Sequence, residues 1–188
     1  MTDFKSHTIE SAPEAAKPLL EGAEKAYGFL PNLYRNMAEA PTILEAYLTL
    51  SGILDKSSLT PTERQVVLMT NNRLNGCTYC MAAHTTISQM SNVPADVIEA
   101  LRTDTPISDP KLEALRTFAA IIVETRGWPT NEQVDAFIAA GYSQQTVLEV
   151  ILGTALKVLS NYTNHVAGTD LDDAFKANAW SPELAKAS

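Results

Sequence analysis

The chain has 188 residues, with 14 Lys and Arg against 22 Asp and Glu, giving a net charge of −8. That balance excludes the basic footprint a nucleic acid or anionic membrane surface requires, and an apolar fraction of 45% excludes disorder. With 25 Ala and 20 Leu against 8 Gly, the composition favours helices in one globular domain spanning residues 1–188.

Taken in order, the pattern predicts a first helix from about Pro13 to Tyr27, ended by Gly28. Phe29-Leu30-Pro31-Asn32 reads as a turn before a short helix reaching Ala38. Pro41 opens the next helix, whose apolar positions Ile43, Leu44, Tyr47, Leu48, Leu50 and Leu54 recur at helical spacing. After a loop over Asp55–Leu59 come two helices, about 61–75 and 77–91, separated by Gly76. Val93-Pro94 starts a short helix to Arg102, and the polar stretch Thr103–Asp109 leads to Pro110. Pro110 opens a helix with Leu112, Leu115, Phe118, Ala119 and Ile122 on one face, closed by Gly127.

Thr130-Asn131-Glu132-Gln133 has the form of a capping box for a helix to Ala140, and a long apolar helix follows from about Ser143 to Tyr162. Strand-like alternation is never sustained, so the expectation is an all-α fold of about eight helices. The most apolar run, Val147–Leu159, is broken by Glu149 and Lys157 and is shorter than the roughly 18–20 residues of a membrane span. It reads as a buried helix or one packed on another subunit. Met1–Glu10 lacks the apolar region of a secretory signal, so the cytoplasm is the expected location. There a close cysteine pair is reduced, catalytic or metal-bound rather than a structural staple.

The two cysteines, Cys77 and Cys80, stand in a segment where Glu63, Cys77, Cys80 and His84 are spaced E-x13-C-x2-C-x3-H. On one helix, Cys77, Cys80 and His84 fall at about 0°, 300° and 340° around the axis and share a face. Cys80 and His84 are i, i+4 neighbours. Gly76 places Cys77 in the first turn of its helix, where free backbone amides and the helix dipole favour a thiolate. Two cysteines so placed can close and reopen a disulfide, and a nearby His with a carboxylate can move protons. The chemistry suggested is dithiol–disulfide cycling coupled to reduction of a substrate.

Plainer readings exist for each residue. Glu63 stands at N3 after Thr60 and Pro61, so it also completes a capping box. The cysteines could be a small apolar core pair, or, with His84 and a fourth ligand from Glu63 or His165, three ligands of a zinc site. His84 alone would be an ordinary helix histidine. His165 divides between a cation at a helix C-terminus and a supporting role behind the site. His7 falls in an end expected to fray, and Asp172-Asp173 reads as solvated surface. No phosphate-binding loop, dinucleotide fingerprint or nucleophile elbow is present.

The Glu63, Cys77, Cys80 and His84 pattern resembles the AhpD-like alkylhydroperoxidases of the carboxymuconolactone decarboxylase superfamily. Pro31-Asn32-Leu33-Tyr34 with Pro41, and Asn161–Gly168, support the resemblance across about 25–175, with the redox core at 60–91. It implies an all-α fold assembled as a homo-oligomer, a trimer or hexamer. It also implies Cys80 as the peroxidatic cysteine, Cys77 as the resolving one, and His84 with Glu63 as the proton relay. Tyr79 stands where the best-known branch has a second His, and two more residues separate Glu63 from Cys77 than in that branch. Both features direct the resemblance to the broader peroxidase-related branch and make Tyr79 a supporting residue of the site. The implied activity is reduction of organic hydroperoxides with no bound cofactor or metal, recharged by a thiol or disulfide reductant. A protein disulfide oxidoreductase or redox sensor, and a zinc-stabilised binding module without catalysis, are the alternatives.

Overall fold

The computed structural model describes residues 4–185. The first three and last three residues of the expected 1–188 domain lie outside the described residues, as does the start of the Met1–Glu10 segment. Among the described residues every regular element is helical. The order is α1 (Lys17–Tyr27), α2 (Asn32–Met37), α3 (Pro41–Leu54), α4 (Pro61–Leu74), α5 (Thr78–Met90) and α6 (Ala95–Thr103). Then follow α7 (Pro110–Glu124), α8 (Asn131–Ala139), α9 (Gln144–Ala167), a 3-10 turn (Asp173–Asn178) and the short α10 (Pro182–Ala185). The all-α expectation holds, with two more helical pieces at the C-terminal end than the periodicity shows.

α4 organises the interior. It packs on α5, α7 and α9 and is buried on nearly all sides from Gln65 to Asn72. On one side lies an apolar cluster from α1, α2 and α3 that reaches Leu68, Cys77, Cys80 and Leu156. On the other, Val66, Val67 and Met69 join Leu101, Leu115, Phe118 and Val150 from α6, α7 and α9. Because α4 carries apolar residues around its whole circumference, its sequence looks continuous rather than striped. Gly153 of α9 sits directly against Val67 of α4, and this close approach seats α9 beside the α4–α5 corner.

Caps set most boundaries as expected. Thr60 with Glu63 and Thr130 with Gln133 form complete capping boxes, and Gly28 ends α1 in the left-handed conformation. Two boundaries differ. α1 begins at Lys17 rather than near Pro13, because Pro13–Ala16 forms a turn closed by Ala16 N–H to the Pro13 carbonyl. α9 runs on past Tyr162 to Ala167, stopping only at left-handed Gly168. Past the expected end at Tyr162 the helix continues because Asn161 and Asn164 are held by Asn72, Asn75 and the two cysteines.

Candidate active site

The corner between α4 and α5 delivers the cysteines. Gly76, at φ 64°, follows α4. Its N–H bonds the Arg73 carbonyl, and the Cys77 N–H bonds the Asn72 carbonyl at 2.9 Å. These are the paired bonds of a Schellman motif. Cys77 is therefore the N-cap of α5 and Cys80 its third residue, one step earlier for Cys77 than its expected place within the first turn. Both cysteines are free thiols and both are buried.

The surroundings of the two sulfurs differ. Cys80, but not Cys77, lines a cavity of about 430 Å³. The cavity also meets Tyr34, Tyr47, Tyr79, Phe175 and His84, so part of its wall is aromatic, while Asp55, Arg64, Gln65 and Lys157 add charged and polar groups. Asn164 Nδ2 donates to Cys80 Sγ at 3.1 Å and lies 3.7 Å from Cys77 Sγ. Burial works to raise the Cys80 pKa. A hydrogen bond from the Cys77 thiol, the Lys157 charge and bonds from Ser160 and Asn161 outweigh it and hold Cys80 well below the ordinary thiol value. The same bond, followed by burial, pushes Cys77 well above it. The pair is polarised into one thiolate and one thiol.

The groups that achieve this come from α9. Lys157, Ser160, Asn161 and Asn164 recur at i, i+3, i+4 and i+7 and are all buried, forming one polar stripe along an otherwise apolar helix. Asn161 accepts from Asn75 at 2.8 Å and donates to Asn72 at 3.0 Å, and Asn72 in turn donates to the Cys80 carbonyl at 3.2 Å. This chain of amides locks α9 to the α4–α5 corner, and its satisfied donors make a buried polar network tolerable. Sequence reading missed the stripe and treated Lys157 as a break in an apolar run. The 157, 160, 161, 164 spacing was the available signal.

His84 is buried and accepts at Nε2 from Lys157 Nζ, 3.1 Å away. Its Nδ1–H then donates to Gln65 Oε1 at 2.9 Å. Burial, then the Lys157 charge, hold its pKa well below the ordinary value, so it is a neutral imidazole. His84 and Cys80 share the cavity wall, as their i, i+4 register requires.

Glu63 is not part of this group. Its carboxylate accepts from Thr60 N–H at 2.8 Å and lies 3.7 Å from Lys111 Nζ. Burial acts to raise its pKa, but the Thr60 bonds, Tyr142 and Lys111 hold it below the ordinary value. No hydrogen bond among the described residues joins it to His84; Gln65, two residues later and so on another face of α4, takes that position. The capping role accounts for the hydrogen bonds of Glu63, and the side chain that bonds His84 is the Gln65 amide.

Tyr79 lines the cavity, and its hydroxyl donates to Asp172. Burial first and that bond second raise its pKa well above the usual range. Asp172 also accepts from the Asn32 N–H, capping α2 where Pro31 has no side chain to do so. It is buried, not the solvated residue its sequence suggests. His165 is exposed in the last turn of α9 beside the Tyr162 ring, so this chain does not bring it to the cysteines; its neighbour Asn164 makes that contact. His7 is buried, with Nε2 2.6 Å from Glu39, and the N-terminal segment is tied down rather than frayed. Among the described residues no three His, Cys, Asp or Glu side chains converge as metal ligands. Both His84 nitrogens already have partners, which removes it from the expected zinc set.

Residues 41–120 match the carboxymuconolactone decarboxylase family. The chain has the AhpD-like fold. Its fold is shared with the AhpD core of an uncharacterized peroxidase-related protein from Ralstonia eutropha JMP134 (TM-score 0.78, 20% identity, 93% of this chain and 96% of that one). A similar protein from Silicibacter sp. TM1040 gives a TM-score of 0.76 at 17% identity over 93% and 95% of the chains. The debrominase Bmp8, as a cysteine-to-alanine variant in complex with 2,3,4-tribromopyrrole, gives 0.78 at 20% identity over 95% and 96%. No curated protein matches in sequence. The matched segment contains both cysteines and His84, whereas α9 with its polar stripe lies outside it.

Proposed function

We propose that the protein is a thiol-dependent peroxidase acting on organic hydroperoxides. The observation that carries this reading is the asymmetry of the pair: the stabilised thiolate, Cys80, faces the cavity, and Cys77 stands behind it as a thiol. The Cys80 thiolate attacks the outer oxygen of the hydroperoxide and the O–O bond breaks. The leaving alkoxide takes a proton to become the alcohol, and Cys80 is left as a sulfenic acid. The Cys77 thiol then displaces hydroxide from that sulfur, water forms, and a disulfide closes. A thiol reductant returns the two electrons. A partly aromatic cavity favours an organic substrate over hydrogen peroxide.

Burial of both sulfurs disfavours a folded protein's disulfide as the primary substrate, because such a partner reaches them only after local opening. A reducing cytoplasm is the setting that keeps both thiols free. The exposed apolar residues Leu148, Ile151, Val158, Tyr162 and Val166 run along one face of α9, and a second copy of this chain is the occupant we assign to it.

A second reading has one observation in its favour, the shared fold and partly aromatic cavity alongside a debrominase that holds a brominated pyrrole. The same dithiol could exchange an aryl bromide for the arene, forming disulfide, bromide and a proton. Peroxide consumption and bromide release by the purified protein separate the two. On the first reading Cys80→Ser abolishes hydroperoxide consumption, and Cys77→Ser stops turnover while leaving Cys80 oxidisable. Wild-type rates in both variants overturn it.

A further inference from the structure

Lys157 is 1% exposed, and among the described residues it forms no ion pair with a carboxylate. Holding an ammonium out of water without a counter-charge costs several kcal/mol. The Lys157 charge acts on Cys77, Cys80 and His84, and the cavity it shares with Cys80 is also lined by Tyr47 from α3, Arg64 from α4 and Asp55. His84 offers only a neutral lone pair at Nε2. Arg64 is itself a cation, bound to Asp55. Tyr47 is driven up first by burial and stays protonated. The counter-ion to Lys157 is therefore the Cys80 thiolate.

Resting on the peroxidase reading above, we propose that Lys157 is the general acid of the peroxide step, delivering its proton to the departing alkoxide. It lines the same cavity as Cys80 and its charge acts on that sulfur, so a hydroperoxide attacked by Cys80 in this cavity is within the field of the ammonium. His84 cannot serve there, because its one N–H is committed to Gln65 and its other nitrogen accepts from Lys157. His84 and Gln65 instead orient the ammonium.

The step balances without net charge. Thiolate, ammonium and hydroperoxide become sulfenic acid, neutral amine and alcohol. Lys157 thus loses its charge as its counter-ion is consumed, and no uncompensated ion is left buried. Cys77 thiol and Cys80 sulfenic acid then give disulfide and water. When an external dithiol reduces the disulfide, the amine takes the proton of the reformed Cys80 thiol and the ion pair returns.

The test compares wild type with Lys157→Met and Lys157→Arg, using two oxidants that differ in leaving group. Cumene hydroperoxide expels an alkoxide that needs a proton, whereas peracetic acid expels a carboxylate that does not. Rates are taken at a pH where the ultraviolet thiolate absorbance of each protein is saturated. Removing the acid lowers the cumene hydroperoxide rate by about 100-fold and the peracetic acid rate by less than about 10-fold, and Lys157→Arg, which keeps the charge but does not release a proton, shows the same selective loss. Equal losses on both oxidants, or no loss, overturn the acid role while leaving the peroxidase reading intact. A wild-type protein that consumes neither oxidant overturns the peroxidase reading, and the acid role with it. Circular dichroism checks the fold; if the Met variant is unfolded, Lys157→Gln, which keeps a polar end, takes its place with the same expected pattern.

Discussion

The seating of α9 against α4 depends on Gly153. A Cβ there would stand 2.8 Å from Val67 Cγ1, whereas carbon contacts settle at about 3.5–4.0 Å. The gap must widen by about 0.7–1.2 Å. Val67 is fully buried and β-branched, so its χ1 has one good helical setting and cannot swing away. Overpacking of this kind costs about 1–3 kcal/mol, and alanine's better helix propensity returns about 1 kcal/mol. Gly153→Ala is therefore expected to destabilise by up to about 2 kcal/mol, a fall in Tm of up to about 8 °C for a chain of this size. Gly22, exposed within α1 with nothing near its would-be Cβ, is the control: Gly22→Ala should raise Tm by about 1–4 °C. Thermal unfolding followed by circular dichroism reads both. Equal stabilisation by the two substitutions would refute the claim that α9 is held at contact distance. Because Gly153 is one turn from Lys157, Gly153→Ala should also raise the titration midpoint of the Cys80 thiolate.

Asn164→Ala removes a hydrogen bond to the thiolate, worth about 1.5–3 kcal/mol. The thiolate absorbance should titrate about 1–2 pH units higher, and an unchanged midpoint would show that Asn164 does not hold the charge. His84 stays neutral when folded but is protonated below about pH 6.5 when unfolded. The unfolded chain thus binds the extra proton, and stability falls as pH drops below that value. The difference in acid limb between wild type and His84→Gln, read by urea unfolding of the oxidised proteins in which Cys80 cannot titrate, gives this term; an equally steep limb in the variant argues against a buried neutral imidazole. Ile151→Glu, placed in the exposed apolar face of α9, should yield monomers by light scattering if a second copy covers it, while leaving the Tm of the monomer within a few degrees.

What could be read in the chain, and what could not, follows from how local the cause is. Capping boxes at Thr60 and Thr130, Gly76 between two helices, and the register of Cys80 with His84 are short-range, and each is found where the pattern puts it. Glu63 shows the limit of that method. Its capping role is local and correct, but the turn of α4 carries Gln65 to His84 instead. The polar stripe on α9 was hidden because Lys157, Ser160, Asn161 and Asn164 acquire partners only after α9 packs on α4 and α5, about 80 residues earlier in the chain. Asp172 was misjudged for the same reason, since Tyr79 and Asn32 are remote partners that make its burial acceptable. Composition alone marked it as surface.

The central claim is that Cys77 and Cys80 form one redox couple driven by hydroperoxide. It is tested most directly by counting thiols in the denatured protein before and after one equivalent of cumene hydroperoxide. The account predicts that both free thiols disappear together and return on treatment with dithiothreitol. Both thiols surviving, or only one being lost, would contradict it.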